Sequence, residues 1–104
     1  MSISNTPQPP YYAVIFTSLR HKNDKGYLKM AEKMATLVKK QDGFLGFESA
    51  REEIGITVSY WRDKESIQKW KENLEHLKAQ QMGKKLWYEK YKIRIAKVER
   101  DYEF

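Results

Sequence analysis

His76 is the side chain best suited to acid–base chemistry, because it is the only histidine inside a predicted helix or strand. A neutral imidazole accepts a proton near neutral pH, so His76 can act as the general base that deprotonates a phenol. The residues three, four and seven positions later are small or polar, and such a stripe on a helix can line a pocket: Ala79, Gln80 and Gly83. A surface or capping histidine is the alternative, since an unbroken helix turns His76 away from its apolar stripe.

Arg94 and two aromatic residues complete the candidate site. Arg94 lies between two isoleucines of the last predicted strand, where its charge can stabilise a phenolate or a reduced oxygen species. An ion pair at a strand edge or an interface, with Glu48 as one partner, is the structural alternative. Tyr60 and Trp70 are candidates for stacking on a planar substrate. Most of the 7 Tyr, 4 Phe and 3 Trp are expected in the core or at an interface.

One predicted helix carries both Trp70 and His76. Its apolar spacing is set by Ile67, Trp70, Leu74, Leu77 and Gln81, four of which are apolar. Asp63 precedes the helix and can accept hydrogen bonds from its first free N–H groups. For His76 to face the same pocket as Trp70, the helix must break near Asn73, which is a poor residue for a helix interior. The hypothesis therefore requires a break at Asn73, and it adds Asn73 and Gln80 to the substrate-binding residues.

The other elements predict the fold that positions these side chains. Residues 27–38 have apolar positions at helical spacing, and the helix is expected to end before Gly43. Strands are predicted at residues 11–19, 44–49, 56–61 and 91–99. The order β-α-β-β-α-β indicates an α+β, ferredoxin-like fold, with a four-stranded antiparallel sheet and two helices on one face.

The first strand predicts that the protein forms a homodimer. Both alternating sets of residues 11–19 are largely apolar, whereas a strand with one solvated face alternates between apolar and polar residues. Two helices cover one face of the sheet and leave the other apolar face open. A second copy packed sheet to sheet by two-fold symmetry is the simplest cover.

Composition limits the classes of function. The length of 104 residues corresponds to one domain, predicted at residues 11–104, after a proline-containing flexible arm at residues 1–10. With no Cys, 2 His and no G-x-G-x-x-G motif, neither a metal nor a cofactor is expected. The net charge is +6, and the lysines on the predicted helices lie among acidic residues, a distribution typical of a solvated surface. We expect a cytoplasmic protein that binds neither membranes nor nucleic acid.

A family resemblance covers roughly residues 12–99. It is carried by G-F-L-G-F-E at 43–48, I-T-V-S-Y-W at 56–61, W-K at 70–71, E-H at 75–76 and W-Y-E-K-Y at 87–91. On these motifs the chain resembles the antibiotic biosynthesis monooxygenase family. The resemblance implies a dimeric α/β barrel and a cofactor-free oxygenase that acts on phenols or quinols. Because many similar proteins have no established activity, a non-catalytic dimer that binds a small ligand is the alternative.

Two further classes are similar but depart in their motifs. The haem-degrading branch of the family has a haem-ligating His ten residues after its Trp, whereas this chain has Gln80 ten residues after Trp70. That branch also has an Asn in its first strand, and residues 11–19 of this chain contain no Asn. RNA-recognition domains share the fold and an aromatic G-F-G-F motif. Here that motif contains the additional Leu45 and lies on the second predicted strand, whereas those domains carry it on the third. The open face needed for RNA is also the expected dimer face.

Overall fold

In a computed structural model, the six elements follow the predicted order β-α-β-β-α-β. The structure describes residues 3–20, 27–80 and 88–104, except for the side chains of residues 27 and 76–80. The elements are β1 (Tyr11–Arg20), α1 (Tyr27–Val38), β2 (Phe44–Arg51), β3 (Gly55–Trp61), α2 (Lys64–Gln80) and β4 (Tyr88–Val98). The strands form one antiparallel sheet in the order β2-β3-β1-β4. The predicted ferredoxin-like fold is therefore confirmed.

The strand register assigns side chains to two faces of the sheet, because directly paired residues lie on the same face. The helix-side face carries Tyr12, Val14, Phe16 and Ser18 of β1, Gly55, Thr57, Ser59 and Trp61 of β3, Tyr91, Ile93 and Ile95 of β4, and Phe44, Phe47 and Arg51 of β2. The open face carries Tyr11, Ala13 and Ile15 of β1, Ile56, Val58 and Tyr60 of β3, Lys92, Arg94 and Ala96 of β4, and Glu48 of β2.

The core joins both helices to the helix-side face at one end of the sheet. Val38 of α1, Trp61 of β3 and Ile67 of α2 are its buried members, and Trp61 is 0% exposed. Trp70 and Phe44 pack against this cluster. Burial of a large aromatic side chain contributes about 2–3 kcal/mol through the hydrophobic effect alone, so Trp61 anchors both helices to the sheet.

A β-bulge at Leu45 interrupts the pairing of β2 with β3. Phe44 pairs with Trp61 and Gly46 pairs with Tyr60, so Leu45 has no partner of its own. A bulge adds one residue to one strand and shifts the alternation of side chains beyond it. Phe44 and Phe47 therefore share the helix-side face although they are three positions apart, and their ring centroids lie 6.2 Å from each other.

The start of α2 is fixed by its cap, as the sequence predicts. Asp63 Oδ1 accepts a hydrogen bond of 2.8 Å from the backbone N–H of Ser66. Ser66 is 5% exposed and lies against Gly43, which precedes β2. Gly43 has a φ of +85°, and its carbonyl accepts a 2.7 Å bond from the N–H of Arg62. The loop before β2 and the first turn of α2 are therefore in direct contact.

The helix break predicted near Asn73 is wrong. α2 runs without interruption from Lys64 to Gln80 and passes through Asn73 in helical conformation. The prediction relied on the Asn side chain bonding to nearby backbone. Instead, Asn73 Nδ2 donates a 2.9 Å hydrogen bond to Oε1 of Gln41, beyond the end of α1. A partner on another element removes the competition with the helical backbone.

The N-terminal arm contacts the outer edge of β2. The N–H of Ser4 donates to Glu48 Oε2 at 2.8 Å, and Ser4 Oγ donates to the carbonyl of Phe47 at 3.1 Å. Thr6 Oγ1 donates to the hydroxyl of Tyr11 at 3.0 Å. These bonds are weak individually, at about 1 kcal/mol each. The flexibility of residues 1–10 stays a prediction.

Candidate functional site

Exposure on the helix-side face increases from β3 towards the edge strand β4. On β3 Trp61 is buried, its ring stacks on Trp70 at 6.4 Å and 28°, and its Nε1 donates to Ser59 Oγ at 2.9 Å. On β4, Ile93 is 50% exposed and Ile95 is 56% exposed on the same face. The helices therefore pack tightly at the Trp61 end, while the β1–β4 side of this face remains accessible.

Aromatic rings cluster on the accessible β1–β4 side of this face. The centroid of Phe16 lies 5.1 Å from that of Tyr88 and 5.5 Å from that of Tyr91, and the two tyrosine centroids are 6.2 Å apart. These separations are typical of interacting rings. We define the aromatic surface as Phe16, Tyr88, Tyr91, Ile93 and Ile95. The rings are inclined to one another by 69° for Phe16–Tyr88, 30° for Phe16–Tyr91 and 63° for Tyr88–Tyr91, so the surface presents both ring faces and ring edges.

Arg51 borders the aromatic surface. Its Nη2 donates to Oγ of Ser18, a residue that is 2% exposed. Its Cζ lies 5.9 Å from the centroid of the Tyr88 ring. Gly55, the residue paired with Arg51 across the hairpin, has no side chain, which leaves space for the guanidinium above β3. Arg51 was not among the residues predicted from the sequence; an arginine opposite a glycine in a predicted hairpin is the signal that points to it.

Tyr60 lies on the open face, so the structure does not bring it together with Trp70. It pairs with Ala13, its hydroxyl donates to Glu48 Oε1 at 2.7 Å, and its ring meets that of Tyr11 edge-on at 5.9 Å. Burial, followed by the hydrogen bond to the Glu48 carboxylate, raises the pKa of Tyr60 to about 12. Tyr60 is therefore a neutral phenol at physiological pH, and it acts there as a hydrogen-bond donor.

Tyr11 connects the start of β1 to the C-terminal segment. Its hydroxyl donates to Asp101 Oδ2 at 2.6 Å, and the residue is 4% exposed. Burial is the main cause that raises the pKa of Tyr11 above its ordinary value, and the hydrogen bond to Asp101 adds to it. One end of the open face is thus closed by the two terminal segments of the chain.

Arg94 also lies on the open face, in a row that crosses the whole sheet. Arg94 pairs with Ile15, Ile15 pairs with Val58, and Val58 pairs with Glu48. Adjacent strands are about 4.8 Å apart, so about 14 Å separates Arg94 from Glu48 within one chain. That distance rules out the ion pair between them within one chain, and the sheet separates Arg94 from Trp70.

The other predicted site residues have different outcomes. Trp70 is on the helix side, where it takes part in core packing. Asn73 is exposed and bound to Gln41, at the C-terminal end of α1. His76 and Gln80 lie within α2, but their side chains fall outside the described residues. The structure therefore leaves their proposed contacts with substrate untested.

No group of three or more His, Cys, Asp or Glu side chains within residues 3–20, 27–80 and 88–104 is arranged to hold a metal ion. None of the helices in that same part of the chain is both long and apolar enough to cross a membrane.

Comparison with known proteins adds both sequence and fold relatives. The family profile described as Antibiotic biosynthesis monooxygenase matches residues 10–82. The uncharacterized protein YqjZ of Bacillus subtilis (strain 168) is 51% identical over 100 residues, which cover 94% of this chain and 88% of that protein.

Solved structures share the fold at low sequence identity. A mutant of MhuD with two manganese protoporphyrin IX molecules bound per active site has a TM-score of 0.68 and 17% identity, covering 89% of this chain and 99% of that one. A mutant of SnoaB, a cofactor-independent oxygenase from Streptomyces nogalater, has a TM-score of 0.68 and 12% identity, covering 88% of this chain and 95% of that one. At these identities the likeness concerns the fold.

Proposed function

Because the chain belongs to the antibiotic biosynthesis monooxygenase family, we propose that it oxidises a small phenolic or quinol-type aromatic with O₂ and without a cofactor. The observation that carries the proposal is the aromatic surface, which is accessible on the side of the sheet that the helices cover. Accessible aromatic and apolar side chains of this kind provide contacts for an aromatic ligand. The fold is shared with SnoaB, a cofactor-independent oxygenase.

The proposed reaction uses the electrons of the substrate itself. A base removes the phenolic proton, and the resulting anion transfers one electron to O₂. The substrate radical and superoxide combine at a ring carbon that carries hydrogen, which gives a peroxide. Loss of water from this peroxide leaves a quinone, so that one phenol and one O₂ give one quinone and one water. The base returns its proton to the departing oxygen.

We propose His76 as the base, with Gln80 as a neighbouring group on α2. His76 lies six positions after Trp70, about 9 Å further along the axis of the unbroken helix, so Trp70 stays in the core and is not part of the proposed site. α2 starts beside Trp61, where Ser66 contacts Gly43, so the later residues of the helix lie further from the Trp61 end. This level of α2 fits a reaction near the aromatic surface.

The test of the enzymatic proposal is O₂ consumption by a panel of hydroquinones and polyphenols, after removal of metals and flavins. We expect His76→Ala to lower the rate by roughly 10²–10⁴-fold if His76 is the base. His21→Ala provides the matched control, since it removes the other histidine and should leave the rate unchanged. Equal rates with and without protein across the panel would contradict the oxygenase proposal and favour the non-catalytic ligand-binding dimer.

We also propose that the open face binds a second copy of the chain. Its central row reads Arg94, Ile15, Val58 and Glu48 from β4 to β2, with opposite charges at the two ends. A two-fold axis parallel to the strands reverses the row of the second copy. Arg94 then faces the partner's Glu48 and Ile15 faces the partner's Val58. A two-fold axis across the strands instead sets β4 against β4, where Arg94 and Lys92 repel their own copies.

The charge row makes the dimer testable by charge reversal. Light scattering at micromolar concentration should give twice the chain mass of 12.5 kDa. We expect Arg94→Glu to weaken the dimer, because two like charges then meet at each end of the row. Glu48→Arg should do the same, and the double reversal should restore association. A wild-type protein that is monomeric at this concentration would contradict the proposed dimer, and a double variant as weak as either single variant would contradict the proposed axis.

A further inference from the structure

The N-terminal arm lies against one end of the open face. Exposed and half-buried residues alternate over residues 3–7, and the half-buried ones are Ser4 and Thr6. Ser4 bonds to Glu48 of β2, and Thr6 bonds to Tyr11 of β1. Since β3 lies between β2 and β1, the contacts of the arm extend from the edge strand to the middle of the sheet. Tyr11 is accordingly buried, although its side chain lies on the face opposite the helices.

Gly46 makes room for the arm beside Glu48. The two residues are two positions apart in β2, so they share the open face. A Cβ atom at position 46 would lie 2.8 Å from Ser4 Oγ and 3.0 Å from Ser4 Cβ, whereas ordinary contacts between carbon atoms are about 3.5–4.0 Å. Ser4 therefore passes directly over Gly46, and its backbone N–H meets the neighbouring carboxylate at 2.8 Å.

Two donors hold the Glu48 carboxylate from different sides. The N–H of Ser4 donates to Oε2 at 2.8 Å, and the hydroxyl of Tyr60 donates to Oε1 at 2.7 Å. Burial raises the pKa of Tyr60 to about 12, so this hydroxyl keeps its proton at neutral pH. An ionised carboxylate has about four acceptor sites, and about two of them remain for a bidentate guanidinium. Because the carboxylate is already oriented, less conformational freedom is lost when a cation binds.

We infer that the N-terminal arm is part of the dimer interface, where Ser4 positions Glu48 for the partner's Arg94. This inference rests on the proposed dimer, in which the charge rows of the two copies run in opposite directions. Facing sheets pack about 10 Å apart, a gap that extended Arg and Glu side chains span together. Ser4 is a positioning residue in this interface, because it acts on the partner through Glu48.

The arm leaves the charge row accessible to the second copy. Gly46, under the arm, pairs with Tyr60, and this pair is one row away from the pair formed by Glu48 and Val58. On the other side of the charge row, Ile56 is 45% exposed on the open face. A second copy can therefore cover the charge row while the arm borders the interface at one end.

The experiment measures the dimer dissociation constant of the full-length protein by sedimentation equilibrium at pH 7. Ser4→Pro removes the N–H and suits an extended backbone, so it frees one side of the Glu48 carboxylate. We expect the Kd to rise roughly 3–10-fold, the effect of immobilising one more mobile side chain on association. The matched control Ser4→Ala keeps the N–H and loses only the bond from Oγ to the Phe47 carbonyl, so it should weaken the dimer less.

Arg94→Gln tests whether the arm acts through the charge pair. In that background the partner offers no guanidinium to Glu48, so adding Ser4→Pro should leave the Kd unchanged. A contact of the arm that is independent of the pair would instead give the same fold-change in both backgrounds, and this result would overturn the inference.

The remaining outcomes separate this inference from the proposed dimer. A dimeric wild type whose Kd is unchanged by Ser4→Pro overturns the role of the arm and leaves the dimer standing. Equal weakening by Ser4→Pro and Ser4→Ala also overturns it, because the N–H is then not the group that matters. A wild type that is monomeric at micromolar concentration contradicts both the dimer and the role of the arm.

Discussion

Replacing Gly43 by alanine tests how closely α2 approaches the sheet. Gly43 has a φ of +85°, a conformation that costs an L-residue about 1–2 kcal/mol. The added Cβ would also lie 2.0 Å from Ser66 Oγ and 2.6 Å from Ser66 Cβ. Ordinary contact between carbon atoms requires about 3.5–4.0 Å, so the first turn of α2 must move by about 1 Å.

The two effects add to a large fraction of the stability of a small domain. Overpacking of this kind costs about 1–3 kcal/mol, so Gly43→Ala should lower the free energy of unfolding by about 2–5 kcal/mol. The whole free energy of unfolding of a small domain is about 5–15 kcal/mol. The movement of α2 should also separate Trp70 from Trp61, whose ring centroids are 6.4 Å apart, and change the tryptophan fluorescence.

Urea unfolding, followed by far-UV circular dichroism, measures the loss of unfolding free energy. Two further variants separate the contribution of the clash from that of the backbone strain. Gly43→Asn retains the clash but tolerates positive φ better, so it should be less destabilised than Gly43→Ala. Adding Ser66→Gly to Gly43→Ala removes the clashing side chain and leaves the backbone strain. The double variant should therefore show a favourable coupling energy of about 1–3 kcal/mol. A Gly43→Ala protein within about 0.5 kcal/mol of the wild type would refute the close approach.

Two further predictions concern pH. The pKa of Tyr60 is raised to about 12 from the ordinary value of about 10, so its contribution to stability is complete below pH 10 and is lost as the pH rises from 10 towards 12. The unfolding free energy of Tyr60→Phe, measured with urea, should therefore depend less on pH in that window. The same dependence on pH in the variant and the wild type would contradict this prediction. Hydrogen bonds from Ser66, first its hydroxyl and then its N–H, hold the pKa of Asp63 below its ordinary value. The contribution of Asp63 to stability is therefore present at neutral pH and is lost as the pH falls through its folded pKa. Asp63→Asn should keep the cap without this pH dependence, whereas Asp63→Ala should lower the Tm at pH 7. Equal Tm values for the two variants would argue against the cap.

The order of elements was predictable from sequence because each element has a clear period. Alternation or apolar runs identified the strands, and the cap at Asp63 was correctly placed at the start of α2. Alternation also requires that Tyr60 and Trp61 point to opposite faces. It does not say which face the helices cover, and Tyr60 was therefore grouped with Trp70 although the sheet lies between them.

The residues that sequence reasoning missed depend on contacts between distant segments. Arg51 reaches Ser18 of β1 and Tyr88 of β4, so its environment is set only when the strands have paired. Asn73 was expected to disturb its own helix, but its partner is Gln41, 32 residues earlier in the chain. Local patterns describe what a residue can do within its element, and they contain no information on which partner the fold supplies.

The bulge at Leu45 affects how this strand is aligned with relatives. Phe44 and Phe47 face the same way at a separation of three, whereas in a regular strand only even separations do so. A relative that lacks the additional residue would have the same two rings on the same side at a separation of two. An alignment without a gap at this point would therefore exchange inward and outward positions along the rest of β2. Structure-guided placement of that gap preserves the correspondence at Glu48 and Arg51.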